Sequence, residues 1–175
     1  QIFFNMSALE NVMTGRHLHE RCGLLGNLVR TPARRREEQA CRALARELLE
    51  FVGLEAHADA SADAMPYGAL KRLEIARALA GEPRILLLDE PAAGLNPTES
   101  AEIAGLIRRL CRNGTTIVLV EHNMKLVMGV SDRILVLDHG RVLSEGDADR
   151  VSRDPRVIEA YLGAADGTEA THARG

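Results

Sequence analysis

Two neighbouring acidic residues follow a short aliphatic run, at residues 85–88, and are the first candidates for chemistry. Asp89 and Glu90 end the run, and Pro91 then interrupts the extended backbone. A short, wholly apolar segment is typical of a strand buried on both faces of a parallel sheet, where ligands gather at the carboxyl ends of the strands. Successive strand side chains point to opposite sides, so one carboxylate can hold a metal ion while the other faces a different partner. The alternative is a core strand that ends in two solvated acids.

A second aliphatic segment, residues 116–120, also ends in polar side chains, Glu121 and His122. It predicts a second buried strand. The helix between the two strands can be capped by Asn96 or Thr98, and it ends at residues 113–114, an Asn-Gly pair. A strand, a helix and a strand of this length form a right-handed βαβ unit, which predicts an α/β fold.

A Pro/Gly turn precedes a strongly helical segment within residues 65–81. Gly68 allows the backbone to approach another group closely where this helix begins. Helix starts present free N–H groups and the positive end of the helix dipole, which together suit a phosphate group. The alternative is an ordinary turn followed by an ordinary helix.

Capping and turn residues predict the remaining elements. A helix is expected over residues 6–15 with Ser7 as its cap and Gly15 as its stop, and another begins at Thr31 with Pro32 and closes at Gly53. The later elements are a loop over 55–64, a helix over 124–130, a strand over 133–137, a hairpin turn over 138–140, a strand over 141–145, a final helix over 156–162 that Asp154 caps, and a disordered tail from Ala164.

Composition excludes several classes of function. The 175 residues are 46% hydrophobic and carry a net charge of −3, which gives no electrostatic case for a nucleic-acid partner. No apolar run approaches the ~18–20 residues that span a bilayer. The widely spaced Cys22, Cys41 and Cys111 form no CxxC pattern, which argues against a disulfide framework or a zinc site. His17 and His19, two residues apart, indicate an exposed loop rather than a metal site.

Taken in order, these segments resemble the ATP-binding subunit of an ABC transporter. The resemblance lies in the turn and helix over 66–80, the strand that ends in Asp89 and Glu90, the Gly-Leu-Asn-Pro loop over 94–97, and the strand followed by His122. Residues 5–12, 67–68 with 72–77, and 154–163 are similar to the branch that imports branched-chain amino acids. The fold implied is part of a P-loop NTPase (RecA-like) α/β core with a parallel sheet, a helical subdomain and its N-terminal part missing.

The resemblance assigns a role to each candidate residue. Asp89 corresponds to the Walker B aspartate that holds Mg²⁺, and Glu90 to the catalytic glutamate that orients the attacking water. His122 corresponds to the switch histidine that contacts the γ-phosphate of ATP. Asn96 takes the acidic position of the D-loop, which crosses a dimer interface. The signature motif, which closes over ATP bound to the opposite subunit, corresponds to Met65, Pro66, Tyr67, Gly68 and Ala69.

The resemblance also implies an organisation and a set of partners. Residues 1–81 would form the helical subdomain and signature helix, 82–146 the C-terminal half of the nucleotide-binding core, and 147–175 a C-terminal helix and disordered tail. The partners implied are transmembrane permease subunits, a second ATP-binding subunit in a homo- or heterodimer, and indirectly a periplasmic or extracellular solute-binding protein. The implied location is cytoplasmic, on the inner face of a bacterial cell membrane, where ATP hydrolysis powers transport.

Two departures from the family pattern qualify this interpretation. Pro66 stands where many members carry serine, and no G-x-x-x-x-G-K-[ST] sequence occurs. The chain is therefore expected to be a C-terminal fragment whose phosphate loop precedes Gln1. Losing about three charge-assisted hydrogen bonds removes about 5–9 kcal/mol, so the 175 residues alone are expected neither to bind nor to hydrolyse ATP appreciably. The alternatives are the ATPase of lipopolysaccharide export or another ABC system, and a truncated, non-catalytic interaction module.

Overall fold

A computed structural model describes residues 2–16 and 32–162 of the chain. The chain divides into two compact units, Gln1–Val118 and Leu119–Gly175. Within the described ranges no helix is both long and apolar enough to cross a membrane. The expectations for His17, His19, Cys22, the Thr31 cap and the tail from Ala164 lie outside these ranges. The division into 1–81, 82–146 and 147–175 stays a prediction.

Three helices that pack against one another form the first part of the first unit. Helix α1 spans Ala8–Gly15, α2 spans Pro32–Phe51 and α3 spans Tyr67–Leu79, and each of the three packs on the other two. The predicted Ser7 cap is confirmed, because its hydroxyl accepts the Glu10 N–H while the Glu10 carboxylate accepts the Ser7 N–H. Short 3₁₀ turns at Glu55–His57 and Ala62–Ala64 occupy the predicted loop. The fully buried side chains here include Leu9, Val12, Leu49, Leu54 and Leu73.

A strand, a helix and a strand follow, as predicted. Strand β1 spans Ile85–Asp89, α4 spans Pro97–Arg112 and β2 spans Thr116–Val120, and β1 and β2 are neighbours in a parallel sheet. Asn96, rather than Thr98, caps α4. The apolar stripe of α4 is buried as its spacing indicates, at Ile103, Leu106, Ile107 and Leu110.

The prediction that both strands are buried on both faces is wrong for the described residues. Leu86 and Leu88 are 5% and 9% exposed, whereas Ile85 and Leu87 are 60% and 73% exposed. No residue of β2 is fully buried. An unbroken aliphatic run carries no alternation of polar and apolar residues, so the sequence could not show that only one row of β1 side chains is covered.

The second unit contains a β-hairpin packed against short helices. Strands β3 (Ile134–Asp138) and β4 (Arg141–Gly146) pair antiparallel around the predicted turn, in which His139 and Gly140 have φ of 46° and 77°. Positive φ at both central residues suits a tight hairpin turn. The unit also contains helix α5 (Met124–Val130) at its predicted position, helix α6 (Ala148–Ser152), which was not predicted, and helix α7 (Pro155–Val157), which continues as a π-helical turn over Ile158–Leu162. Ile134, Val136, Val151 and Val157 form the core.

Candidate functional site

The two candidate acids lie where β1 ends. Asp89 is the last residue of the strand and Glu90 follows it, and both are exposed. Glu90 has a φ of 45°, in the left-handed region that a non-glycine residue rarely adopts. The following Pro91 also disfavours the right-handed helical conformation at Glu90. The chain therefore turns sharply at Glu90, immediately after the Asp89 carboxylate.

A tight turn connects Glu90 to helix α4. The Ala93 N–H donates to the Glu90 carbonyl oxygen at 3.1 Å, and the Leu95 N–H donates to the Ala92 carbonyl oxygen at 3.2 Å. Gly94 has a φ of 75°, which glycine adopts without strain. This turn, residues 90–96, fixes the distance between the acids at the end of β1 and the start of α4.

The Asn96 side chain caps helix α4. Its side-chain oxygen accepts the Glu99 N–H at 2.9 Å, and the Glu99 carboxylate accepts the Asn96 N–H at 3.0 Å. These reciprocal bonds form a capping box that satisfies backbone donors at the start of α4. A contact of Asn96 with nucleotide or with a second subunit stays a prediction.

The start of helix α3 lies against the 90–96 turn and the first turn of α4. A Cβ added to Gly68 would lie 2.5 Å from the Glu99 Oε1 atom, and one added to Gly94 would lie 3.2 Å from the Tyr67 ring. The Lys71 ammonium donates to the Glu90 carbonyl oxygen at 3.4 Å. The glycine-permitted approach predicted at Gly68 is thus present, and the group that approaches is the Glu99 side chain.

The five residues of the predicted signature motif differ in exposure. Met65 and Ala69 are 7% and 3% exposed and Gly68 is buried, whereas Pro66 and the 53% exposed Tyr67 face solvent. Pro66 occupies the N-cap position of α3 and makes no side-chain capping bond. The first turn of α3 therefore has no cap from Pro66, and the Glu99 side chain lies beside it at Gly68.

His122 lies in the second unit, two residues after the end of β2, and its side chain is exposed. The neighbouring Asn123 caps α5 by accepting the Leu126 N–H at 3.2 Å. Asp89, Glu90, Asn96 and residues 65–69 all belong to the first unit. The contacts thus bring the start of α3 to the 90–96 turn that follows β1, and His122 follows Glu121 beyond the end of β2.

Asp89 fits the metal that the resemblance implies. Mg²⁺ prefers oxygen ligands, and in nucleotide sites it is held by one or two carboxylates with water and phosphate completing its shell. The exposed Asp89 carboxylate at a strand end meets that requirement. Across residues 2–16 and 32–162, no group of three or more His, Cys, Asp or Glu side chains is placed to hold a metal. Asp89 is thus the carboxylate that the described end of β1 offers to such a metal.

Two contacts of this region were missed from the sequence, that of Lys71 with Glu90 and that of Glu99 with Gly68. Glu99 itself was expected, as the residue that completes the capping box with Asn96. Lys71 follows Tyr67 by four positions on α3, and this spacing places the two side chains on one helix face. That spacing could have predicted a contact between the Lys71 and Tyr67 side chains. The contacts of Lys71 with Glu90 and of Glu99 with Gly68 join separate elements, and nothing in the local sequence indicates them.

Known families match both ends of the chain. The model of the "ABC transporter" family matches residues 1–93. A second model, "Branched-chain amino acid ATP-binding cassette transporter", matches residues 141–167.

The chain is also similar to curated proteins and to solved structures. It is 45% identical over 94% of its length to the high-affinity branched-chain amino acid transport ATP-binding protein LivG of Salmonella typhimurium, and it spans 65% of that relative. It is 36% identical to the lipopolysaccharide export system ATP-binding protein LptB of Acidithiobacillus ferridurans, over 93% of this chain and 61% of LptB. The ADP conformation of MJ1267, an ATP-binding cassette of an ABC transporter, superposes with a TM-score of 0.72 at 28% identity, covering 91% of this chain and 63% of MJ1267.

The chain thus spans 65% of the length of its branched-chain amino acid relatives LivG and BraF, just under two thirds. The similar solved structures are ATP-binding cassettes, which confirms the predicted P-loop NTPase fold class. The "ABC transporter" model covers more than half of the 175 residues and includes helix α3 and the Asp89–Glu90 pair. On these grounds the chain belongs to the ABC transporter family of ATP-binding proteins.

Proposed function

We propose that the full-length protein is the ATP-binding subunit of an ABC importer and hydrolyses ATP to drive the uptake of branched-chain amino acids. The observation that carries this proposal is the Asp89–Glu90 pair at the end of β1, with the start of α3 beside it. The match of residues 141–167 to the branched-chain amino acid family supports the choice of solute class.

The proposed division of labour follows from what phosphoryl transfer requires. The reaction needs neutralisation of charge and in-line positioning of water more than it needs covalent chemistry. Asp89 would hold Mg²⁺, and the bound metal would supply positive charge against the phosphate oxygens. Glu90 would orient the attacking water and accept its proton, and His122 would donate a hydrogen bond to the γ-phosphate.

The signature residues 65–69 would act on a nucleotide held by another subunit. The uncapped start of α3 presents N–H groups, and the exposed Pro66 and Tyr67 form the surface around them. This arrangement supports a dimer of ATP-binding subunits, either homo- or heteromeric, in which Asn96 lies near the interface. Pro66 provides neither a hydroxyl nor an N–H, so the contact would rest on Gly68 and the first turn of α3.

The remaining partners follow from the proposed importer. Transmembrane permease subunits would carry the solute, and a periplasmic or extracellular solute-binding protein would deliver it. The ATP-binding subunit would then lie on the cytoplasmic face of a bacterial cell membrane. These partners select the solute, so its identity within the branched-chain class is decided by them.

The test of the catalytic assignment is Glu90→Gln in the full-length protein assembled with its permease subunits. The substitution removes the proton acceptor and keeps the side-chain size, so ATP turnover should fall by about 10²-fold or more. ATP binding, measured by equilibrium titration, should be retained. Glu74→Gln, which changes an exposed glutamate on α3, should leave turnover unchanged. Undiminished turnover in Glu90→Gln would refute the assignment.

A second candidate function is lipopolysaccharide export, which the 36% identity to LptB favours. The two functions differ in what stimulates the ATPase and in what a deletion strain loses. An importer should restore uptake of radiolabelled leucine to a strain that lacks its own branched-chain importer. Failure to restore uptake of leucine, isoleucine or valine, with rescue of a lipopolysaccharide export defect instead, would favour the second function.

A further inference from the structure

We infer that Lys71, together with Tyr67, is a positioning residue for Glu90. The Lys71 ammonium holds the carbonyl oxygen of Glu90 and thereby fixes the direction in which the carboxylate points. The inference rests on the proposed role of Glu90 as the residue that orients water. It adds a link within one chain, from the signature helix to the acid at the end of β1.

The backbone of Glu90 has a φ of 45°. A non-glycine residue in this region carries a cost in conformational free energy, so surrounding contacts must hold it there. Such residues collect at functional sites, where a side chain must be aimed in a direction that ordinary backbone does not give. Contacts that hold the Glu90 peptide group are therefore contacts that aim its side chain.

Two hydrogen bonds hold the peptide group that follows Glu90. The Glu90 carbonyl oxygen accepts the Ala93 N–H at 3.1 Å and the Lys71 Nζ at 3.4 Å. Rotation of the peptide group between Glu90 and Pro91 would break both hydrogen bonds. The bond to Ala93 is local to the turn, whereas Lys71 belongs to α3 and joins the turn to a separate element.

The Tyr67 ring orients the Lys71 ammonium. Its Nζ lies 5.6 Å from the centroid of the Tyr67 ring, within the range of a cation–π contact. The same ring lies close to Gly94, where an added Cβ would be 3.2 Å from Tyr67 Cε1. Helix α3 therefore contacts the turn at both ends, through Lys71 at Glu90 and through Tyr67 at Gly94.

Because of these contacts, a movement of the start of α3 would also move the Glu90 peptide group. Tyr67 is exposed and belongs to the segment proposed to meet a nucleotide on another subunit. A shift of Tyr67 on that contact would move the Lys71 ammonium and the Gly94 backbone together. The direction of the Glu90 side chain would then depend on whether the signature segment is engaged.

The test uses Lys71→Met, which keeps an unbranched side chain out to Cε and removes the ammonium. In the full-length protein kcat for ATP should fall about tenfold, the effect of losing one charge-assisted bond that orients a reacting group. The KM for ATP should be unchanged, because Lys71 contacts the backbone of Glu90 and not the nucleotide. Lys71→Arg should restore most of the rate, and Lys125→Met, the same change at the exposed lysine of α5, should have no effect.

A second readout needs no ATPase activity. In the 175-residue chain, Lys71→Met should speed hydrogen exchange at the Ala93 amide about tenfold, because the turn that this amide closes is less firmly held. The midpoint of thermal unfolding should stay the same. Lys125→Met again serves as the control, since it lies outside the turn.

The outcomes separate the two proposals. Unchanged kcat or unchanged Ala93 exchange in Lys71→Met overturns the positioning role. A raised KM without rescue by arginine also overturns it, because it assigns Lys71 to nucleotide binding or to the fold. Retained turnover in Glu90→Gln, by contrast, refutes the proposed function itself, whatever the exchange measurement gives.

Discussion

Asp154 shows how one side chain can serve both a helix cap and an ion pair. Its Oδ1 accepts the Arg156 N–H at 3.0 Å, and its Oδ2 lies 2.8 Å from Arg156 Nη2. The hydrogen bond from the Arg156 guanidinium, followed by one from Ser144, holds the pKa of this carboxyl well below its usual range. The folded chain therefore favours the ionised form, and it does so at the start of the helix that closes the second unit.

Stability should depend on pH through Asp154, with a definite sign. Because the pKa is lowered on folding, the contribution is fully present above the unfolded pKa of about 3.9 and is lost progressively as pH falls from there through the lower pKa of the folded state. Asp154→Asn keeps a capping oxygen and removes the charge. It should lower the unfolding midpoint at pH 7, and the gap between the two proteins should close towards pH 2. Thermal melts followed by circular dichroism at pH 7, 4 and 2 measure this.

The control for this prediction is Asp132→Asn, which changes an exposed aspartate in the same unit. Its unfolding midpoint should follow that of the parent chain at every pH. If the gap for Asp154→Asn persisted unchanged at pH 2, the charge of Asp154 would not be the cause of the effect.

Contacts between elements set the second level of organisation. Gly15 was predicted as a helix stop, and it is indeed the last residue of α1. Its more demanding task is to let α1 approach α3, since an added Cβ would lie 2.0 Å from the Arg77 carbonyl oxygen and 3.1 Å from the Ala80 Cβ. Backbone atoms cannot move aside as a flexible side chain can, so this contact requires glycine.

Gly15→Ala should therefore force α1 away from α3 and lower the free energy of unfolding by about 1–3 kcal/mol. Gly105→Ala is the matched control, because an added Cβ on this residue of α4 meets nothing within 4 Å. At position 105, alanine reduces the backbone entropy that is lost on folding and meets no neighbouring atom. The free energy of unfolding should therefore rise by about 0.5–1 kcal/mol. Urea denaturation measures both. Shifts of the same sign would contradict the structure.

At the scale of the whole molecule, the described chain exposes a row of large aliphatic side chains. Ile85 and Leu87 of β1 are 60% and 73% exposed, and Val118 and Val120 of β2 are 49% and 58% exposed. Exposed aliphatic side chains of this size bind hydrophobic dyes and promote self-association. The alternate residues Leu86 and Leu88 face the buried side.

Substitution of adjacent leucines should separate the two faces of β1. Leu87→Ala should reduce dye fluorescence and light scattering of the 175-residue chain, while its stability changes by less than about 0.5 kcal/mol. Leu86→Ala should instead lower the free energy of unfolding by about 2–5 kcal/mol, because it leaves a cavity in the core. Fluorescence titration and urea denaturation measure the two effects. Equal destabilisation by both substitutions would show that the exposed row is covered.

The sequence by itself determined the features that depend on neighbours along the chain. The Ser7 cap, the hairpin turn at residues 138–140 and the acids at the end of β1 all rest on local backbone chemistry, which a short segment specifies. The cap of α4 was narrowed to Asn96 or Thr98, and the structure decided for Asn96. The order of the motifs was enough to indicate the family. Helix α6 was not predicted, because its five residues, Ala148–Ser152, are too few to show a helical periodicity.

Tertiary structure alone decided which groups meet. The burial of Leu86 but not Leu87, the approach of α1 to α3 at Gly15, and the bond from Lys71 to the Glu90 carbonyl oxygen each join distant parts of the chain. Such contacts arise when elements pack, and a uniform aliphatic strand or a lone lysine does not specify its partner in advance. The sequence thus named the acids at the end of β1, and only packing determined what holds Glu90 in place.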